Sequence, residues 1–318
     1  MSEIADYINK RRPVKSIVKF NLTIASNGAE GMMKQVCNAF LLVLLGLSGV
    51  AQELSAPKVA IPLIASGSHH KPTGVTAESL VITDQKTTIA RASLLRGADF
   101  PVELGILIDS SRSQRDAHLD DILKATKQFV DEIIRGPEDR VFFLTFDATA
   151  QATEWLRKDQ LQGASIKVGI GGGTALYDAL AMACQQRMGP RDWSKPTRRV
   201  LLLISDGEDN LSRITRVDAV SEAIKAGVVI FTINTGASGK SLGGERAMEN
   251  LSTLIGGESF SGVSRKVFVT IQESIDGIYY LSYVPPDAAK SAVHKVEVKP
   301  APKEEFKLLY PRTYSWNP

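Results

Sequence analysis

Cysteine is nearly absent from this chain of 318 residues, which holds only Cys37 and Cys184. A disulfide framework is therefore excluded, and stability has to come from a hydrophobic core, which a chain of this length can bury. An excess of charge of one sign is also missing: 38 Lys and Arg stand against 35 Asp and Glu, a net charge of +3. No stretch interleaves basic residues with aromatics, so no nucleic-acid partner is expected. No apolar run reaches the roughly 20 residues that cross a bilayer. The glycines Gly169 and Gly171 to Gly173 lack the following Lys-Ser/Thr of a phosphate loop, and no G-x-S-x-G elbow or internal repeat occurs. Function has to be read from local motifs in an otherwise ordinary folded composition.

Residues 33–51, MKQVCNAFLLVLLGLSGVA, place Lys34 before the apolar run Ala39 to Leu47 and then offer small residues at Gly49 and Ala51. This is the pattern of a signal peptide cleaved between Ala51 and Gln52. A retained anchor and a buried helix are the alternatives. Residues 1–32 in front of it read as a long leader or a misassigned start, with Met32 or Met33 as the true first residue. Export places the protein in the periplasm or outside the cell, with no stable membrane span after cleavage. Cleavage removes Cys37, and Cys184, at helical apolar spacing in ALYDALAMACQQRM, then reads as a small buried hydrophobe.

Between Glu103 and Gly236 four apolar runs alternate with helical patterns: 104–108, 141–146, 200–205 and 228–233. Runs apolar on both faces suit parallel strands covered by helices. The first helix puts Leu119, Ile122, Leu123, Phe129, Val130, Ile133 and Ile134 on one face and stops at Gly136-Pro137. Further helices are expected at about 175–188, 215–226, 245–255 and 264–278, with Gly227 and Gly256-Gly257 as stops. The fold class that follows is α/β, a doubly wound, Rossmann-like domain over 101–280 with a mostly parallel sheet. The flanks 58–100 and 281–314 carry short β-like pieces separated by Gly, Pro, Asp and Lys, and are expected to pair into one small β flank. The segment 52–57 and the tail after Tyr314 are expected to be mobile.

Chemistry concentrates where two of the strands end. Asp109-Ser110-Ser111-Arg112-Ser113, a D-x-S-x-S pattern, follows the first apolar run; Ser205-Asp206-Gly207-Glu208-Asp209 follows a later one; Gly171-Gly172-Gly173-Thr174 opens a helix between them. Parallel strands bring such loops to one edge of the sheet, where α/β proteins bind ligands. The loops offer hydroxyl and carboxylate oxygens without thiol or imidazole, a donor set for Mg²⁺, Mn²⁺ or Ca²⁺ rather than Zn²⁺. Taken singly, D-x-S-x-S and Thr174 are ordinary helix caps. Glu208 and Asp209 read as solvated loop acids, and His69-His70 as part of a loop rather than a metal pair.

In these three segments, in this order, the chain resembles the metal-ion-dependent adhesion site of von Willebrand factor A domains over about residues 101–280. The resemblance implies Ser111, Ser113 and Thr174 as inner ligands, Asp109 and Asp206 behind them, and a partner protein's Asp or Glu completing the coordination. It implies a binding module rather than an enzyme. The flank sequences 76–85, 279–286 and 310–314 resemble a secreted bacterial A-domain-related group abundant in acidobacteria. Arg112 stands where the family often has Gly, and either clamps an incoming carboxylate or repels the ion. Two other readings are an intracellular subunit beside an ATPase and a hydrolase built on Ser111, His118 and Asp206. The first conflicts with the signal peptide, and the second lacks the nucleophile elbow.

Overall fold

The apolar runs become the strands of a mostly parallel sheet in the computed structural model, which describes residues 58–67, 72–117, 119–164, 166, 171–193, 197–236 and 242–317. The segments 1–32, 33–51 and 52–57, together with His69, His70, His118 and Gly169, lie outside the described residues. In chain order the α/β part contains β5 (Val102–Asp109), α1 (Leu119–Ile133), β6 (Arg140–Phe146), β7 (Ala150–Ala152), α2 (Leu176–Met182), β8 (Arg198–Ser205), α3 (Arg216–Ala226), β9 (Val229–Asn234), α4 (Leu242–Leu254), β10 (Ser259–Ser261) and α5 (Arg265–Asp276). Strands β1 to β4 precede it and β11 to β14 follow. The six strands are ordered β10-β9-β8-β5-β6-β7. All neighbours are parallel except the β6–β7 pair.

Period-two alternation explains why both faces are covered. Leu104, Ile106 and Ile108 of β5 and Val200, Leu202 and Ile204 of β8 join the cluster that holds α1 and α5. Leu107, Leu201 and Leu203 join the cluster that holds α2, α3 and α4. Helix α1 buries Ile122, Phe129, Val130 and Ile133, as its apolar face requires. Its stop is reinforced by Asp139, whose carboxylate accepts from the amides of Arg135 at 3.0 Å, Gly136 at 2.6 Å and Val102 at 2.8 Å. Helix α2 continues as a π-helical stretch, Ala183–Met188, in which Cys184 is buried and its thiol is pushed up by burial, leaving it unreactive. Gly227, in the left-handed region at φ 59°, caps α3.

Gly105 lies mid-strand in β5, where a Cβ would come within 2.5 Å of both the Leu201 and Phe142 side chains. Its missing side chain lets two large neighbours close over the central strand. Gly105→Ala is therefore expected to cost about 1–3 kcal/mol of stability. The check is the urea midpoint at unchanged m-value; an unmoved midpoint would show that the neighbours part freely.

The flanking segments make two four-stranded antiparallel sheets, not the one expected. The first runs β13-β1-β11-β4, from β13 (Lys307–Leu309), β1 (Val59–Ser66), β11 (Ile278–Tyr283) and β4 (Ser93–Arg96). The second runs β14-β12-β2-β3, from β14 (Thr313–Trp316), β12 (Ala292–Pro300), β2 (Leu80–Asp84) and β3 (Thr87–Thr88). Val59, Ile61, Leu63, Leu281 and Tyr283 of the first sheet share a core with Leu80, Ile82, Val296, Val298, Tyr314 and Trp316 of the second. Ala60, Ile64, Ile278 and Tyr280 point the other way, into the core of α1 and α5. The first sheet is thus buried on both faces, which is why all eight residues of β1 are buried.

The end of the chain departs from expectation as well. Ser315 and Trp316 belong to β14, Trp316 is 2% exposed, and the Trp193 indole donates to the Ser315 carbonyl at 3.2 Å. Burying an indole holds a terminus that its sequence position alone would leave loose. Among the described residues no helix is long and apolar enough to cross a membrane.

Candidate metal centre

Strand β5 has β6 on one side and β8 on the other, while α1 packs on one face of the sheet and α2 and α3 on the opposite face. Successive connections diverge between β5 and β8, which opens a crevice at their carboxyl ends. Asp109 closes β5 and Ser205 closes β8 at that crevice.

Asp109 is 1% exposed and held on both oxygens. Oδ1 accepts from the Ser111 amide at 2.9 Å and Oδ2 from the Ser205 hydroxyl at 2.6 Å. The Ser205 hydroxyl also accepts from the Gly207 amide at 3.0 Å, so one serine ties the ends of both strands. Ser110 anchors the loop to β6, its amide and hydroxyl both donating to the Phe146 carbonyl, at 2.7 and 3.0 Å. The Ser111 and Ser113 hydroxyls lie 3.0 Å apart; Ser111 is buried and Ser113 exposed. Asp206, 8% exposed, accepts from the Glu208 amide at 3.1 Å.

The glycine turn is docked beside these residues. Ser111 and Gly171 form a parallel bridge, and the Gly171 amide donates to the Ser110 carbonyl at 3.3 Å. Thr174 is 3% exposed, yet it does not cap α2. That work is done by the loop after β8. Asp209 accepts from the Leu176 amide at 2.9 Å, and the Ser212 hydroxyl accepts from Tyr177 and Asp178 at 3.0 and 3.1 Å. Asn210 accepts from the Thr174 amide at 2.9 Å, and the Thr174 carbonyl accepts from the Asn210 and Leu211 amides, each at 3.0 Å. Asp178 answers by accepting from the Arg213 amide at 3.0 Å. This clasp fixes Thr174 against the loop that bears Asp206.

Sequence reasoning missed Ser205, Asn210 and Ser212. It also took Asp209 for a solvated acid, whereas Asp209 is half-buried and caps a helix; Glu208 is exposed. The glycines of the turn serve close approach, but to side chains. A Cβ on Gly171 would meet the Asp147 carboxylate at 2.2 Å and one on Gly173 the Leu211 side chain at 2.3 Å, while Gly172 has nothing within 4 Å.

Electrostatics at the site run against a bare pair of acids. Burial pushes the Asp109 carboxyl up to about 6, opposed by its hydrogen bonds from Ser205 and Ser111, and the charge of Asp206 pushes it further the same way. A cation placed between hydroxyls and carboxylates relieves that cost, so the donor set fits a hard divalent ion. Among the described residues no group of three or more His, Cys, Asp and Glu could hold a metal, so an ion here depends on the hydroxyls. Arg112, between the two serines, is exposed and has no ion-pair partner among the described residues.

Residues 103–275 match the family model of the von Willebrand factor type A domain. No curated protein matches the chain. Among solved structures it is similar to a von Willebrand factor type A protein from Catenulispora acidiphila, at 12% identity and TM-score 0.41, over 82% of this chain and 75% of that one. It is similar to manganese-loaded TRAP protein of Plasmodium vivax at 12% identity and TM-score 0.42, over 69% and 96%. It is also similar to the ArnB paralog VWA2 from Sulfolobus acidocaldarius at 15% identity and TM-score 0.40, over 83% and 77%. The family match spans more than half of the sequence and takes in both strand-end loops and the glycine turn between them: the chain belongs to the von Willebrand factor type A domain family.

Proposed function

We propose that this protein is an exported binding module that depends on a divalent cation. Mg²⁺, or Mn²⁺ or Ca²⁺ in its place, is held by Ser111, Ser113 and Thr174 with Asp109 and Asp206 behind them, and an Asp or Glu of a partner protein completes the coordination. The observation that carries this reading is Asp109, a buried carboxylate pressed by a second one at the switch point of the sheet and faced by hydroxyls. The bound ion supplies a positive centre for the partner's carboxylate. The chain's own part is to hold the oxygens in place through Ser205 and the clasp around Thr174. Domains of this family are typically interaction modules rather than enzymes, in keeping with binding. Export to the periplasm or beyond rests on the run 33–51 and on the resemblance of the flanks to a secreted bacterial group.

Calorimetric titration of Mg²⁺ and Mn²⁺ into chelator-treated protein tests the reading, with Asp109→Ala and Thr174→Ala alongside. Wild type is expected to bind one ion, and each variant to lose about 10–100-fold in affinity or more. Both variants are expected to keep their circular dichroism, because burial already disfavours the charged form of Asp109. Absence of heat in the wild type sinks the proposal, and unfolding of Asp109→Ala would make that residue structural.

A further inference from the structure

The loop after β8 does more than clasp the glycine turn. Asn210 is fixed by hydrogen bonds to Thr174, Ser212 by hydrogen bonds from the first turn of α2, and Arg213 is fixed to Asp178. Between them stands Leu211, its amide bonded to the Thr174 carbonyl and its side chain lying on Gly173 at a distance that no Cβ there would permit. Yet Leu211 is 49% exposed. A single exposed apolar residue is ordinary on a protein surface. This one is held rigidly by its neighbours on either side, next to a residue placed at the metal centre, and the turn has given up a side chain to seat it.

In the loop after β5, Arg112 lies between Ser111 and Ser113, exposed and without an ion-pair partner among the described residues. The site's loops therefore offer an exposed cation and a preorganised apolar surface, around a centre that attracts a carboxylate. Acidic chemistry alone would leave Leu211 uncovered. We propose that the site selects a partner segment in which the coordinating Asp or Glu stands directly beside a large apolar residue. Leu211 covers that residue, and Arg112 faces the acid's charge. The inference rests on the metal-dependent binding proposed above and adds to it what the site discriminates. Preorganised apolar contact lowers the ordering cost of binding, so the neighbour of the acid contributes to affinity and not only to fit.

The test uses the full chain loaded with Mn²⁺ and two blocked peptides, acetyl-Gly-Leu-Asp-Leu-Gly-amide and acetyl-Gly-Gly-Asp-Gly-Gly-amide, titrated by NMR through the relaxation that the bound ion imposes on the peptide. Wild type is expected to prefer the leucine peptide by on the order of tenfold, the worth of covering a half-exposed leucine. Leu211→Ser, with Mn²⁺ still bound, is expected to bring the two peptides to equal affinity, and Arg112→Ala to weaken both. Equal affinities in the wild type, or a preference that survives in Leu211→Ser, overturn the inference and leave the metal site standing. Failure of the wild type to bind Mn²⁺ brings down both.

Discussion

Glu103→Ala is expected to cost the fold about 3–5 kcal/mol, the range for removing one partner of a buried ion pair. Glu103 sits on the central strand at the end remote from Asp109, in register with Arg199 of β8 and Arg140 of β6. Its two oxygens accept from Arg199 at 2.8 Å and from Arg140, so one carboxylate ties three adjacent strands. Arg199, with its side chain 9% exposed, also donates to the Gly189 and Ala226 carbonyls at 3.0 and 2.7 Å and to that of Met188, where the π-helical stretch and α3 end. Without Glu103 this guanidinium stays buried among carbonyls with no anion. Arg140 is 36% exposed and adds little, because water screens it. Denaturant unfolding of wild type and variant reads the difference, and a loss under about 1 kcal/mol would show that the carbonyls alone satisfy Arg199.

The same residue gives stability a dependence on pH. Burial by itself would raise the Glu103 carboxyl, but the hydrogen bonds and charges of Arg199 and then Arg140 outweigh it and hold it below the usual glutamate range. A depressed folded value means that the contribution is fully present above the unfolded value of about 4.3 and is lost as pH falls through the folded one. Stability of the wild type should therefore fall in that acid range more steeply than that of Glu103→Ala.

What could be read from the sequence divides along the range of the contacts involved. Helix α1 was legible because its apolar face repeats within fifteen residues, and β5, β6, β8 and β9 because each is a continuous apolar run. Strands β7 and β10 have three residues each and no pattern to read; pairing at the edges of a finished sheet defines them. Asp109 and Asp206 stood out because each follows an apolar strand directly. Ser205 did not, since its hydroxyl matters only through a carboxylate 96 residues away. The clasp was hidden for the same reason, with Asp209, Asn210 and Ser212 acting on a turn some 35 residues earlier. The flank pieces were visible as strands, but pairing β1 with β11 joins residues more than 200 positions apart, and local alternation does not choose between one sheet and two.

Asp84→Ala is the other substitution with a large expected effect, and it tests how the sandwich is fastened. Asp84, at the end of β2, is wholly buried between the two sheets. Its carboxylate accepts from the Tyr283 hydroxyl at 2.9 Å, from the Tyr314 hydroxyl and from the His294 ring at 2.9 Å. The four residues come from β2, β11, β14 and β12, so the network spans both sheets and both ends of the chain. Burial, with the charge of Asp84 adding to it, raises both phenols, which keeps them protonated and donating. His294 stacks on Tyr314 at 4.9 Å, and its second nitrogen is buried with no hydrogen-bond partner among the described residues. Removing Asp84 takes the acceptor away from three donors in a dry interior. Each costs about 1–3 kcal/mol, but neighbours in one network do not add, so about 3–5 kcal/mol is expected in all. Asp84→Asn, which keeps an acceptor, should lose about half of that. Because the far face of the first sheet belongs to the core of α1 and α5, the whole unit should still melt in one step. Far-ultraviolet dichroism of the helices and the near-ultraviolet aromatic signal, to which Tyr283, Tyr314 and Trp316 of the sandwich contribute, should then shift together, and two separate transitions would mean that the sandwich folds on its own.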